Sequence, residues 1–294
     1  NRRRHIFVVD VAGGAARALT PATGPYEEHS IDWSPDGSEI ACVSSREPEP
    51  DLFYNPDLFA VRVSDGRMRR ITTTESAEYQ PRWSPDGKRL VFLGTRRGLT
   101  DLETTMEDTH VWTVAADGSD RRELGAAIDN RQASAVFSPD GAFVYFTVQE
   151  RGNQRLYRLP AAGGKPETVV GEPGRVGGFS VGRTGAVAFA FSGLRDLTPL
   201  HIKDARGSRQ LTDLNADALR DVELGAVEAF TFTSADFKHQ VEAFLTRPLG
   251  WSAEGKHPMI VMIHGGPHGS QGAAFSFKSQ YYAGLGWATL QVNF

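Results

Sequence analysis

The sequence predicts a mainly β fold: a β-propeller followed by the opening of an α/β sheet. Three observations carry that prediction. A Ser-Pro-Asp-Gly turn recurs at blade-sized spacing, the same pair of strand patterns follows each copy, and the pattern changes after Thr212.

The turn appears as "WSPDG" at Trp33–Gly37 and Trp83–Gly87, as "FSPDG" at Phe137–Gly141, and in a decayed form, "FSVGRTG", from Phe179. The copies start 50, 54 and 42 residues apart, in the range of four-stranded propeller blades. Each residue of the turn has a job. Proline presets φ, aspartate bonds the local backbone, and glycine accepts a positive φ. A β-rich run follows each turn: "SEIACVSS", "KRLVFLGT", "AFVYFTV" and "AVAFAFS". Next comes an alternating strand with a Gly turn, as in "DLFAVRVSDGRMRRIT" and "THVWTVAADGSDRREL". The runs read as half-buried strands, apolar and polar at period 2. Residues 1–20 match only the second half of this unit. The expectation is therefore about four blades plus a half blade over residues 1–213, out of about seven or eight in a whole ring. A start inside a blade leaves an unpaired sheet edge, so the sequence is expected to be a piece of a longer protein.

Residues 214–294 form the second expected domain, a crossing segment and the truncated start of an α/β-hydrolase domain. "AFTFTS" and "HQVEAFLTRP" read as a hairpin, and "HPMIVMIHGG" as a continuous apolar strand buried on both faces. In "AAFSFKSQYYAGLG", Phe277, Tyr281 and Leu285 fall on one face of a helix closed by Gly284 and Gly286, and "WATLQVNF" is another strand. Hairpin, strand, helix and strand open an α/β sheet. The His264-Gly265-Gly266 loop then sits at the C-terminal end of a central strand, where such sheets carry their sites. The matching loop of α/β-hydrolases gives a backbone N–H to an oxyanion hole, and glycines allow the close approach this needs. A tight strand-to-helix turn without chemistry fits the motif equally well.

Two other patterns are explained without chemistry. His264 and His268 have the spacing of zinc ligands on a helix, but glycines and Pro267 break any helix there and no third ligand is near in sequence, so no metal is expected. "GFSVG", Gly178–Gly182, matches the nucleophile elbow. Its Phe179-Ser180, however, aligns with Phe137-Ser138 of the repeat, and no helix pattern follows.

The composition excludes several classes. Over 294 residues, 40% hydrophobic and 23% charged, the net charge is −4, which gives no electrostatic reason to bind nucleic acid or an anionic membrane. The single cysteine, Cys42, reads as a buried hydrophobe. No signal peptide or long apolar run is visible, so the expected location is cytoplasmic. No cofactor is expected. Arg96, Arg97 and Arg151 on propeller loops could meet a ligand terminus, but solvated loop charge accounts for each.

A propeller with "WSPDG" turns, followed by "PMIVMIHGGPH" and "WATLQVNF", resembles the prolyl oligopeptidase family of serine peptidases, in particular its acylaminoacyl-peptidase-like branch. The resemblance covers nearly the whole chain. It implies cleavage of short peptides through an acyl-enzyme by a Ser-Asp-His triad, with the propeller restricting entry to small substrates. Carried over, His264, Gly265 and Gly266 form the oxyanion-side element. No catalytic residue has a counterpart in this chain: nucleophile, acid and base lie beyond Phe294, and the chain alone is expected to be inactive. Relatives of this kind also have a blade or more before the position of Asn1. The alternative reading is a non-catalytic propeller that binds peptides or proteins. One departure is visible in "SADFKHQ", Ser234–Gln240, where Phe237 replaces the usual turn glycine and a longer or different turn is expected.

Overall fold

The computed structural model describes residues 3–21, 25–50, 55–96, 107–265 and 269–293. The chain folds as two compact units. One holds residues 1–148 and 157–168, the other 149–156 and 169–294.

The first unit opens on a two-stranded hairpin, β1 (Phe7–Val8) and β2 (Arg17–Ala18). A four-stranded antiparallel sheet follows: β3 (His29–Trp33), β4 (Glu39–Ser45), β5 (Pro56–Arg62) and β6 (Met68–Arg70). The next has the same order: β7 (Glu78–Trp83), β8 (Arg89–Gly94), β9 (His110–Ala115) and β10 (Arg122–Glu123). The third set is β11 (Gln132–Phe137), β12 (Phe143–Glu150), β13 (Asn153–Pro160) and β14 (Glu167–Val170), whose sheet continues past β13 through one parallel bridge at Gln154. The tip of its β12–β13 hairpin belongs to the second unit. These sheets are propeller blades, each made by one copy of the repeat.

Their turns close as the residues dictate. The Ser34 hydroxyl donates to Asp36 Oδ1 (2.6 Å), the Ser38 N–H donates to the same oxygen (3.0 Å), and Gly37 takes φ 71°. The hydrogen bonds from Ser34 and Ser38 hold the Asp36 carboxyl down at about 2. Ser84–Asp86 (2.6 Å) and Ser138–Asp140 (2.5 Å) repeat the arrangement. The β-rich runs after these turns differ from the half-buried strands expected. Ile40–Ser45 of β4 and Leu90–Gly94 of β8 are buried on both faces, because Val43, Leu58, Trp83 and Phe92 of adjacent blades join one core. Val91, Val111, Val144 and Phe146 form the next.

Two further repeats lie in the backbone. Each inner strand carries a bulge at a residue of positive φ: Ser30 (53°), Gln80 (51°) and Ser134 (56°). Each of these residues stands four positions before the turn serine. Successive blades are also latched by a buried polar pair. The Thr20 hydroxyl accepts from the Ile6 N–H (3.0 Å) and donates to Glu28 (2.9 Å). The Thr72 hydroxyl accepts from the Leu58 N–H (2.9 Å) and donates to Glu78. At the third joint Gly125 replaces the threonine. Gln132 reaches through the space, accepting from the Val111 N–H (2.8 Å) and donating to Gly125 O (2.9 Å).

The second unit contains the fourth blade, β15 (Arg175–Val181), β16 (Val187–Ser192), β17 (Leu200–Asp204) and β18 (Gly207–Gln210). Its decayed turn corrects the sequence alignment. The Gly185 N–H donates to Gly182 O (2.9 Å), as Gly141 does to Ser138 O (2.8 Å). Gly182 therefore matches Ser138, and Val181, not Phe179, matches Phe137. Only the terminal glycine of the motif survived, so the Phe-Ser pair was a false anchor.

A short helix, α1 (Ala216–Leu219), leads to the hairpin β19 (Val227–Thr233) and β20 (Gln240–Thr246). Then come β21 (Met259–Ile263), α2 (Phe277–Gly284) and β22 (Ala288–Asn293), with β21 and β22 parallel in a sheet of order β19-β20-β22-β21. This is the expected α/β opening, with two differences in detail. The Ser234–His239 turn is no longer than the propeller turns. Ser234 donates to Asp236 Oδ1 (2.5 Å), and Phe237 occupies the glycine position at φ 60°. β21 is an edge strand with Met259, Val261 and Ile263 exposed on one face, not buried on both. On α2, Phe277, Tyr281 and Leu285 are the exposed face, while Ser279 and Ala283 are buried. Periodicity located apolar faces that no described residue covers. The C-terminus of α2 is set by Gly286 at φ 83°, where the Trp287 N–H donates to Tyr282 O (3.0 Å) and the Gly286 N–H to Ala283 O (3.1 Å). No helix among the described residues is long and apolar enough to cross a membrane.

Candidate functional site

The loop after β21 returns on itself within the second unit. His264 is half-buried and Gly265 exposed, with open space where a Cβ would stand on Gly265. A Cβ on Gly269 would lie 2.3 Å from Gly265 O and 3.0 Å from His264 Nδ1, so only glycine fits there. Gly266, expected in the same element, and His268 lie outside the described residues.

The segment after Gly269 is held at several points. Asn293, at the end of β22, grips the Gln271 backbone from both sides. Its Oδ1 accepts from the Gln271 N–H (2.7 Å), and its Nδ2 donates to Gln271 O (3.1 Å) and Glu242 Oε2 (2.9 Å). Gln291 Nε2 donates to Gln271 Oε1 (2.7 Å). The β12–β13 hairpin tip supplies two more contacts. Gln149 Nε2 donates to the Ser270 hydroxyl (2.7 Å), and the Ala273 N–H donates to Gly152 O (2.9 Å). Gly152 has φ 68°, and a Cβ there would meet Phe244 Cζ at 2.6 Å. From the fourth blade, Ser192 Oγ accepts from the Phe275 N–H (3.2 Å). The result is a pinned loop with an open glycine backbone at its head, the arrangement that can hold donors still for a developing oxyanion.

The other sequence candidates are placed as follows. Ser180 is exposed on β15 in extended backbone, not at a strand-to-helix elbow. Cys42 is fully buried, and burial pushes its thiol up to about 12, which makes it inert. Arg96 pairs with Glu123 (2.8 Å). Arg151 is exposed at the hairpin tip with φ 47°, and Arg97 lies outside the described residues. Sequence reasoning missed Gly152, Glu242 and Asn293. Glu242 and Asn293 stood in strands already read from the sequence, "HQVEAFLTRP" and "WATLQVNF", but nothing local marked either as a support of the loop.

No family model matches the chain. Dipeptidyl-peptidase 5 of Arthroderma otae is 24% identical over 279 residues, 89% of this chain. The chain spans 38% of the length of that relative. Among solved structures, Porphyromonas gingivalis dipeptidyl peptidase 4 superposes with a TM-score of 0.71 at 12% identity, covering 99% of this chain and 43% of that one. The uncomplexed Pyrococcus horikoshii acylaminoacyl peptidase gives 0.60 at 17% identity, covering 98% and 54%. Those structures share the propeller-and-α/β fold seen here. By sequence the chain is related to dipeptidyl-peptidases, and by fold it is similar to the peptidase structures above.

Proposed function

We propose that this chain is a segment of a serine peptidase that hydrolyses short peptides through an acyl-enzyme. The observation that carries the reading is the loop after β21: a Gly-rich backbone at the C-terminal end of an α/β strand, clamped by Asn293 and by the propeller hairpin tip. In this reading His264, Gly265 and Gly266 form the oxyanion-side element through backbone N–H groups. The nucleophile, acid and base come from the parent protein outside these 294 residues, in keeping with the 38% of the relative's length that the chain spans. The propeller, residues 1–213, and the α/β segment, 214–294, are the two functional parts. The substrate partner is a short peptide.

The working form is therefore the longer parent protein. An oxyanion hole without an attacking group gives little turnover. With N-acyl or free-amino peptide anilides, the parent is expected to release the aniline and the 294-residue chain to release none above buffer. A parent that cleaves none of these substrates would sink the peptidase reading in favour of a binding propeller.

A further inference from the structure

The second unit contains a half-buried guanidinium that the fold does not neutralise. Arg175 opens β15, where it pairs in register with Gln154 of β13 and Ser192 of β16. Other half-buried arginines sit against carboxylates: Arg46 with Glu28 (2.5 Å), Arg121 with Glu78 (3.2 Å) and Arg155 with Glu150 (3.1 Å). No carboxylate among the described residues pairs with Arg175. Its side chain donates to a neutral acceptor, Gln154 Oε1 (3.0 Å). Burial lowers its pKa, and no neighbouring acid opposes that shift.

The location of this cation is specific. A Cβ on Gly272 would lie 2.5 Å from both Arg175 Cδ and Nη1. The guanidinium therefore rests on the glycine backbone of the loop that Asn293 clamps, three residues before the Phe275 that Ser192 holds. Glycine at 272 gives the arginine its seat. A desolvated arginine without an acid costs stability unless a ligand completes it, and its planar fork matches a carboxylate with two parallel hydrogen bonds.

We infer that Arg175 is a carboxylate-binding residue that receives the C-terminal carboxylate of a short peptide. The inference rests on the peptide reading above and adds a specificity element to it. Gln154 holds the guanidinium in place, and the loop at Gly272 sets its distance from the His264-Gly265 head.

The test is a binding cycle with dansyl-Gly-Gly-Phe and its C-terminal amide, measured by fluorescence anisotropy on the chain and on its Arg175→Gln variant. The free acid is expected to bind the unaltered chain about tenfold or more tighter than the amide, the scale of one charge-assisted contact. In R175Q the two peptides are expected to bind alike, with amide binding unchanged. Thermal melting separates ligand binding from scaffolding. R175Q is expected to melt at the same temperature or higher, since it removes an unneutralised buried charge. Equal binding of acid and amide by the unaltered chain overturns the carboxylate role and leaves the peptide reading intact. A melting temperature lowered by several degrees in R175Q assigns the arginine to the scaffold and overturns it as well. Binding of neither peptide overturns the inference together with the peptide reading.

Discussion

Glu78→Ala is expected to lower stability by about 3 kcal/mol at pH 5, the cost of emptying a buried position and stripping its hydrogen bonds. Glu78 is fully buried at the joint between two blades, where it accepts from the Thr72 hydroxyl, from Thr74 Oγ1 (3.3 Å) and from Arg121 Nε (3.2 Å). Arg121 in turn stacks over Trp112 at 3.9 Å. Removing the carboxylate takes the buried acceptor from the Thr72 hydroxyl and leaves Arg121 only its hydrogen bond to Ser76 Oγ (3.2 Å).

Glu78→Gln is the more informative change, because Gln132 already fills the corresponding place at the next joint with neutral hydrogen bonds. Burial pushes the Glu78 carboxyl up to about 7, against the pull of Thr72 and Arg121. A group raised in the folded state binds its proton more tightly there than in the unfolded chain. Its favourable contribution is complete below its ordinary pKa of 4.5 and is lost as pH rises through about 7. The unaltered chain should therefore lose stability relative to E78Q between pH 5 and pH 8, by at most about 3 kcal/mol. Melting both proteins across that range and subtracting isolates this one group. A difference that stays flat with pH would show that Arg121 keeps Glu78 ionised throughout.

Asn293→Ala addresses the site directly. The amide makes three hydrogen bonds, two of them to the backbone of Gln271. Truncation frees the loop that follows the His264-Gly265 head. In the parent protein kcat/KM for a short peptide is expected to fall about tenfold to a hundredfold, mostly in kcat, since a displacement of about 1 Å at a donor costs that much. Asn293→Asp is expected to be no better. It retains an acceptor for the Gln271 N–H but loses both donors and faces Glu242. In the chain itself the Gln271 amide should exchange faster with solvent in N293A. Unchanged kcat together with faster exchange would separate the loop from the chemistry.

The fold was legible in the sequence wherever local chemistry repeats. Ser34, Asp36 and Gly37 close their own turn, so three copies announced three blades. The fourth was misread by two positions because Gly182 and Thr184 stand where serine and aspartate do in the others. The bulges were hidden for a different reason. Ser30, Gln80 and Ser134 share a backbone conformation and not a side-chain chemistry, and sheet pairing forces φ > 0 on each. The blade latches were partly visible in Thr20–Glu28 and Thr72–Glu78, but Gly125 with Gln132 does the same work with other residues.

At the site, His264-Gly265 stood out because glycine at the end of an apolar strand is a local signal. Its supports did not. Gln149 meets Ser270 across 121 residues of chain, and Gly152 is a glycine because Phe244 fills the space beside it. Such contacts exist only after the chain has folded. The helix itself was legible, with Phe277, Tyr281 and Leu285 on one face, but which face packs was not: Ser279 and Ala283 are the buried residues.

The central claim is that the loop after β21 serves a serine nucleophile supplied by the parent protein from outside these 294 residues. Treating the parent and the chain with a fluorophosphonate probe, then mapping the modified residue by mass spectrometry, tests it most directly. The account predicts one labelled serine in the parent, outside this sequence, and no label on the chain. A label within the chain, at Ser180 or any other serine, or a parent that takes no label, contradicts it.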